Sequence, residues 1–210
     1  MKKLFTILLL SLTLPLAAIA SEFEQGKHYD VIANPNSSAI PEVVEFFSFY
    51  CPHCANFEPI AQRLETKLPA GSSFTKMHVD FIRAAPVAIQ NNLARAFLAA
   101  NRQNKQHQVV DAIFQQIHGK RQNFTSPEQI RQLAIDAGVD ADTYDADINS
   151  FQVINAADYM KSQQNKYTEQ GVLQAVPTLI VNGKYKINFQ HLDGDIETQL
   201  VDLINFLMKK

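Results

Sequence analysis

Cys51 and Cys54 are the only cysteines in the chain, and they stand together as Cys51-Pro52-His53-Cys54. Two thiols at this spacing can close a small disulfide ring without moving the backbone. The aromatic run Pro41 to Tyr50 before them reads as a strand, and Ala55 to about Leu68 after them reads as a helix. The pair therefore falls at a strand-to-helix junction. Unpaired backbone N–H groups and the positive end of a helix dipole favour a thiolate there. Cys51, where the helix begins, is expected to be the exposed nucleophile. Cys54, inside the first turn, is expected to be the buried resolving thiol. Pro52 suits the first turn because its missing N–H would be unpaired in any case. His53 can add positive charge or a hydrogen bond to the sulfur anion.

Other uses of the pair fit less well. A zinc site takes about four ligands, and the six histidines offer no closely spaced ligand pair to complete one. Covalent haem attachment needs a histidine after the second cysteine, where this chain has Ala55. A purely structural disulfide stabilises more as its loop lengthens, and this loop is minimal. Redox chemistry is the reading that remains. His28, His78, His107, His118 and His191 show no ligand spacing and read as ordinary.

Glu45 lies in the apolar strand Val43 to Phe49, six residues before Cys51. Two readings are open. It is either an edge-strand acid facing water or a largely buried carboxylate near Cys54, its pKa raised by desolvation, able to take that thiol's proton. Glu58 and Pro59, in the helix that follows, look unremarkable, and Pro59 is expected to kink it.

The elements that must hold these residues can be traced along the chain. His28 to Ala33 leans to strand, and the turn cluster Asn34 to Ser38 follows it. Pro69-Ala70-Gly71 stops the first helix, and Phe74 to Val79 is a second convincing strand. From about Ala84 to Lys166 the apolar period becomes helical, as in Ile89, Leu93 and Phe97, with a start signal at Ser126-Pro127-Glu128. Four or five helices fit there with no strand among them. Val176 to Val181 and Lys184 to Asn188 flank Asn182-Gly183, a strong two-residue hairpin signal. An amphipathic helix, Asp195 to Lys210, closes the chain. The order predicts an α/β domain, residues 21–80 and 167–210, interrupted by an all-helical domain, residues 81–166.

Composition narrows the possibilities. The 210-residue chain is 46% hydrophobic and 19% charged, enough apolar surface for a real core and too little polarity for disorder. A formal net charge of −2 leaves no basic excess for nucleic acid. Residues 1–20 carry Lys2-Lys3, an apolar run and Ala18-Ile19-Ala20 before Ser21, the three-part pattern of a cleaved secretory signal. Its removal leaves 17 basic residues against 21 acidic, so the mature charge is 17 − 21 = −4. The rest of the chain has no stretch apolar enough to span a bilayer, and disulfides would persist in an exported protein.

Cys51-Pro52-His53-Cys54 behind Glu45-Phe-Phe-Ser-Phe-Tyr50, with Val176-Pro177 far downstream, resembles the bacterial periplasmic disulfide oxidases of the DsbA family. The opening Glu24-Gln25-Gly26-Lys27-His28-Tyr29 and the later Val181-Asn-Gly-Lys-Tyr185 match too, so the resemblance runs from Glu22 to the end. It implies a thioredoxin fold with an inserted helical domain. It implies that Val176-Pro177 is a cis-proline loop opposite the cysteines, where an extended peptide can pair as a short strand. Ala175 departs from the glycine often found there. Lys76 resembles the family's partner for Glu45. The implied activity is donation of the Cys51–Cys54 disulfide to newly exported, unfolded polypeptides in the periplasm. A DsbB-like, quinone-coupled partner in the inner membrane would reoxidise the protein. The implied protein is a monomer needing no metal or diffusible cofactor. A reductase or isomerase of the same fold, and a peptide-binding chaperone with an incidental disulfide, are the alternatives.

Overall fold

The computed structural model describes residues 23–33, 35 and 40–210. The expected signal sequence, residues 1–20, lies outside them, as does most of the turn cluster Asn34 to Ser38.

A five-stranded sheet in the order β1-β5-β4-β2-β3 carries the site. Its centre is β2 (Glu42–Phe47), β-branched and aromatic, with every residue after Glu42 buried. It pairs in parallel with β3 (Ser73–His78) and antiparallel with β4 (Thr178–Val181). β5 (Tyr185–Ile187) and the edge strand β1 (Tyr29–Val31) complete the sheet. The hairpin between β4 and β5 turns at Asn182 and Gly183, both in left-handed backbone (φ 53° and 62°), but Val181 pairs with Tyr185, so the connection holds three residues, Asn182 to Lys184, rather than the expected two.

The apolar run around β2 continues past the strand itself. Extended pairing stops at Phe47, and Ser48 to Cys51 forms a turn. The Cys51 N–H donates to the Ser48 carbonyl at 3.1 Å, and the Tyr50 N–H donates to Ser48 Oγ at 3.2 Å. The turn delivers the chain to α1 (Pro52–Lys67), which runs on through Pro59 and buries Cys54, Phe57, Glu58, Ala61 and Leu64 along one stripe. Phe57, Ala61 and Leu64 pack with Val43, Leu179 and Val181 of the sheet and with Leu200, Leu203 and Leu207 of α7 (Ile196–Met208). Burying each such Leu or Phe is worth about 1.5–3 kcal/mol, so α1 is anchored on its sheet-facing side.

Between β3 and β4 the chain is helical. It forms α2 (Val87–Arg102), α3 (Gln106–Phe114), a π turn (Gln115–Gly119), α4 (Pro127–Asp136), α5 (Ala141–Asp147) and α6 (Phe151–Glu169). α6 runs through residue 166, so the expected domain boundary falls within a helix. The block shares its core with the sheet: Leu93, Phe97, Ile113 and Phe114 belong to one buried cluster with Phe46, Phe47, Phe49 and Cys54. Because neighbouring residues of β2 point to opposite faces, Phe46 meets Tyr167 of α6 (ring centroids 5.4 Å apart), whereas Phe47 meets Phe97 of α2 at 5.8 Å. The helical block thus packs against the end of β2 from which the reactive turn emerges.

Candidate active site

Cys51 occupies the N-cap of α1 with extended backbone (φ −98°, ψ 115°), Pro52 starts the helix, and Cys54 lies in its first turn. Both thiols are free, so the geometry is that of the dithiol. The Cys51 Sγ donates to the Val176 carbonyl at 3.3 Å, across 125 positions of sequence. The Val176–Pro177 peptide is cis and leads directly into β4. The hydroxyl of Thr178 donates to the Ala175 carbonyl at 2.7 Å and ties the loop to the strand. Cys51, Pro52, His53, Cys54, Val176 and Pro177 therefore meet at one end of the sheet.

The exposed nucleophile expected at Cys51 is corrected here. Cys51 is only 6% exposed and Cys54 is 0% exposed. The N-terminal position on α1 does not leave Cys51 open, because the Val176 loop covers it. Pro52 and His53 are the exposed members of the motif.

The two sulfurs differ sharply in acidity. The Cys51 thiol is lowered to about 6, chiefly by the hydrogen bond it receives from Cys54, against an opposing effect of burial. The backbone N–H groups of Cys54 and His53 add to the lowering, and the charge of His53 comes after them. Cys54 is driven far above the ordinary thiol range by the same hydrogen bond, then by burial, with the charges of Cys51 and Glu45 adding to it. Cys51 is thus the thiol that ionises, giving up its bond to the Val176 carbonyl as it does so, while Cys54 keeps its proton.

Glu45 faces inward, because β2 is a central strand. Its Oε2 and the Oε2 of Glu58 each lie 2.6 Å from Lys76 Nζ. The side chains of Glu45, Glu58 and Lys76 are 0%, 3% and 6% exposed. Burial pushes the Glu45 acid up and Lys76 opposes it, while Glu58 pushes it further up. Burial alone would lower the Lys76 ammonium, but the charges of Glu45 and Glu58 outweigh it and hold the ammonium above its ordinary value. One cation thus faces two carboxyl groups, which favours a proton on the carboxyl pair. The second oxygen of Glu45, Oε1, is buried without a hydrogen-bond partner. Glu58 is the residue that sequence reasoning missed. Its signal was helical spacing, since Cys54 and Glu58 are four apart and share one face of α1.

The depressed Cys51 acidity has a measurable consequence for stability. An unfolded cysteine titrates near about 8.5, and the folded thiol titrates at about 6. The folded pKa of this acid is lowered, so its contribution is full above the unfolded value, declines as pH falls and is gone below the folded one. Between about pH 8 and about pH 5 the reduced protein should therefore lose about 2 kcal/mol that the oxidised protein never had. That corresponds to a reduced-minus-oxidised melting difference that narrows by about 4–8 °C. With no tryptophan in the chain, circular dichroism is the readout. A melting difference that stays constant across this range would show that Cys51 is not held as a thiolate.

Among the described residues, no group of three or more His, Cys, Asp or Glu is placed to hold a metal ion. None of the described helices is long and apolar enough to cross a membrane.

A cysteine pair at a helix N-terminus, facing a cis-proline loop on a mixed sheet with an inserted helical block, defines a thiol–disulfide oxidoreductase of thioredoxin type. Residues 42–204 match the family model described as DSBA-like thioredoxin domain. The chain is 35% identical to the thiol:disulfide interchange protein DsbA of Pectobacterium carotovorum over 218 residues, covering 100% of both chains. It is likewise 35% identical to DsbA of Escherichia coli K12 over 217 residues, again covering 100% of both. The structure superposes on the disulfide oxidoreductase DsbA from Proteus mirabilis with a TM-score of 0.77 and 33% identity, covering 90% of this chain and 98% of that one. A second structure of Proteus mirabilis DsbA, with a non-covalently bound peptide, gives a TM-score of 0.76 and 31% identity, covering 90% of this chain and 100% of that one. The chain belongs to the DsbA family.

Proposed function

We propose that the protein works as an oxidase, donating a Cys51–Cys54 disulfide to newly exported, unfolded polypeptides. The observation that carries this direction is the place of Cys51 at the N-cap of α1, beside the first-turn N–H groups and the Cys54 thiol, which lower its pKa to about 6. A stabilised thiolate favours the reduced enzyme, and a disulfide whose reduced form is favoured is a strong oxidant. A substrate thiolate attacks Cys51 Sγ, the Cys51–Cys54 bond breaks, and the electron pair goes to Cys54 sulfur. Glu45, whose acid is raised by burial, supplies the proton that Cys54 takes up, with Lys76 and Glu58 setting its charge balance. A second substrate thiolate then attacks the substrate sulfur of the mixed disulfide and expels Cys51 as a thiolate. Two electrons pass to the enzyme, and the substrate leaves with a disulfide. His53 adds positive charge beside the leaving sulfur, and Pro52 fixes the helix start.

The Val176 carbonyl, which accepts the Cys51 thiol in the dithiol, is the backbone group that an extended substrate would meet, with Pro177 next to it. A peptide is bound non-covalently by Proteus mirabilis DsbA, which supports a polypeptide substrate for this chain. The setting is the periplasm, reached by a signal sequence over residues 1–20. The mature chain acts as a monomer with no nucleic-acid partner, no membrane span and no cofactor besides its own disulfide. A DsbB-like inner-membrane protein passes the electrons on to quinone. The unit of residues 21–80 and 167–210 carries the chemistry, and residues 81–166 cover it.

Trapping the protein's thiols in cells with an alkylating mass tag tests the direction. The oxidase reading expects mostly disulfide at steady state. A mostly dithiol protein would overturn it in favour of a reductase or isomerase. Function that survives loss of both cysteines would overturn it in favour of a chaperone.

A further inference from the structure

We propose that His118 is a positioning residue for the reactive turn, holding Cys51 in its thiolate-stabilising place through the Phe49 carbonyl. His118 Nε2 lies 2.8 Å from Phe49 O. A carbonyl has no proton to give, so Nε2 is the donor whether the imidazole is neutral or charged. Phe49 is 0% exposed, and a buried carbonyl needs a donor. Its ring is fixed as well, 5.3 Å from Phe114 and 5.1 Å from the buried His78. Phe49 is the second residue of the turn in which the Cys51 N–H donates to the Ser48 carbonyl at 3.1 Å. The helical block thus grips the turn two residues before the nucleophile.

The backbone around His118 departs from regular helix to make this contact. Gln115–Gly119 is a π turn closed by Lys120 N–H donating to Gln115 O at 2.8 Å. Such a turn holds one residue more than an α turn, so it rotates the side chains that follow, and π turns recur at functional sites. Nothing within the segment around His118 marks it in the sequence.

The contact should matter more in one redox state. In the oxidised protein the covalent ring itself restrains Cys51. In the dithiol only non-covalent bonds hold Cys51 against the first-turn N–H groups and the Cys54 thiol. Removing the His118 donor therefore raises the free energy of the reduced form selectively.

The inference rests on the oxidase reading only for the importance of the potential. His118→Met and His118→Ala remove the donor at a half-buried position, while His118→Gln can still donate. Two quantities are read: the Cys51 thiolate titration by ultraviolet absorbance, and the redox equilibrium with glutathione. One lost hydrogen bond predicts an equilibrium shifted about fivefold toward the disulfide, with the Cys51 pKa moved up by rather less than one unit. His118→Gln should stay within about twofold of the parent on the same scale. Donorless variants that titrate and equilibrate like the parent would overturn the assignment, as would a His118→Gln shift as large as theirs. A parent protein that is itself a weak oxidant would instead refute the oxidase reading, since the His118 test is read as a ratio to the parent.

Discussion

Cys51→Ser should abolish oxidation of a reduced test protein, leaving no rate above the uncatalysed background. The substitution removes both the attacked sulfur and the disulfide, and a serine alkoxide cannot replace them. Cys54→Ala should fail in a different way. The Cys51 thiolate would still attack a disulfide, forming a mixed disulfide and releasing the other sulfur as a thiolate, but no Cys54 thiol would be left to attack Cys51 and release the bound partner. The same variant removes the strongest influence on Cys51, the hydrogen bond from the Cys54 thiol. Its Cys51 titration should then climb from about 6 toward the ordinary thiol value of about 8.5. Non-reducing gels score the trapped complexes, and thiolate absorbance scores the pKa. Sustained turnover by either variant would sink the mechanism. An unmoved titration in Cys54→Ala would show that backbone N–H groups and His53 set the acidity instead.

Lys76→Met should be the most destabilising substitution near the site. It leaves two buried carboxyl groups, Glu45 and Glu58, with no cation between them. Breaking one side of a buried ion pair costs about 3–5 kcal/mol, and the methionine fills similar space without strain. The cost depends on pH. The Glu45 acid is already raised, and losing Lys76 removes the group that opposes that rise. An acid with a raised folded pKa destabilises the fold once pH exceeds its unfolded value, about 4.3 for Glu. Acidification toward that value should therefore recover much of the loss. Urea unfolding at about pH 7 and about pH 5 would measure it, and Glu45→Gln combined with Lys76→Met should restore part of the stability at neutral pH. A Lys76→Met loss below about 1 kcal/mol would mean that the ammonium compensates no buried charge.

The parts of the fold that were legible in sequence are those governed by local rules. The switch from aromatic strand to helix located Cys51 at the helix start, and Pro52 marked its first turn. The Asn182-Gly183 dipeptide identified the hairpin because left-handed backbone is a demand on those two residues alone. Helical periodicity between β3 and β4 predicted a strand-free block, and the chain forms five α-helices and a π turn there. The expectation for Val176-Pro177 came from the resemblance, since an X-Pro pair at a strand start says nothing by itself about its isomer.

The amino-acid sequence by itself determined which atoms can react, Cys51 and Cys54 sulfur, and that they lie at a helix N-terminus. Spacing and turn chemistry act over a few residues, so they can be read from the chain directly. Tertiary structure alone decided how those atoms are surrounded. Cys51 is covered because the Val176 carbonyl arrives from 125 positions away. Glu58 joins Glu45 because α1 packs over β2, and both carboxyl groups converge on Lys76 from the neighbouring strand. His118 reaches Phe49 across 69 positions because a π turn aims it there. Each of these contacts depends on the relative placement of two elements, which side-chain periodicity within either one leaves open. Burial then gives them their weight, because the same charges and hydrogen bonds would count for little in water.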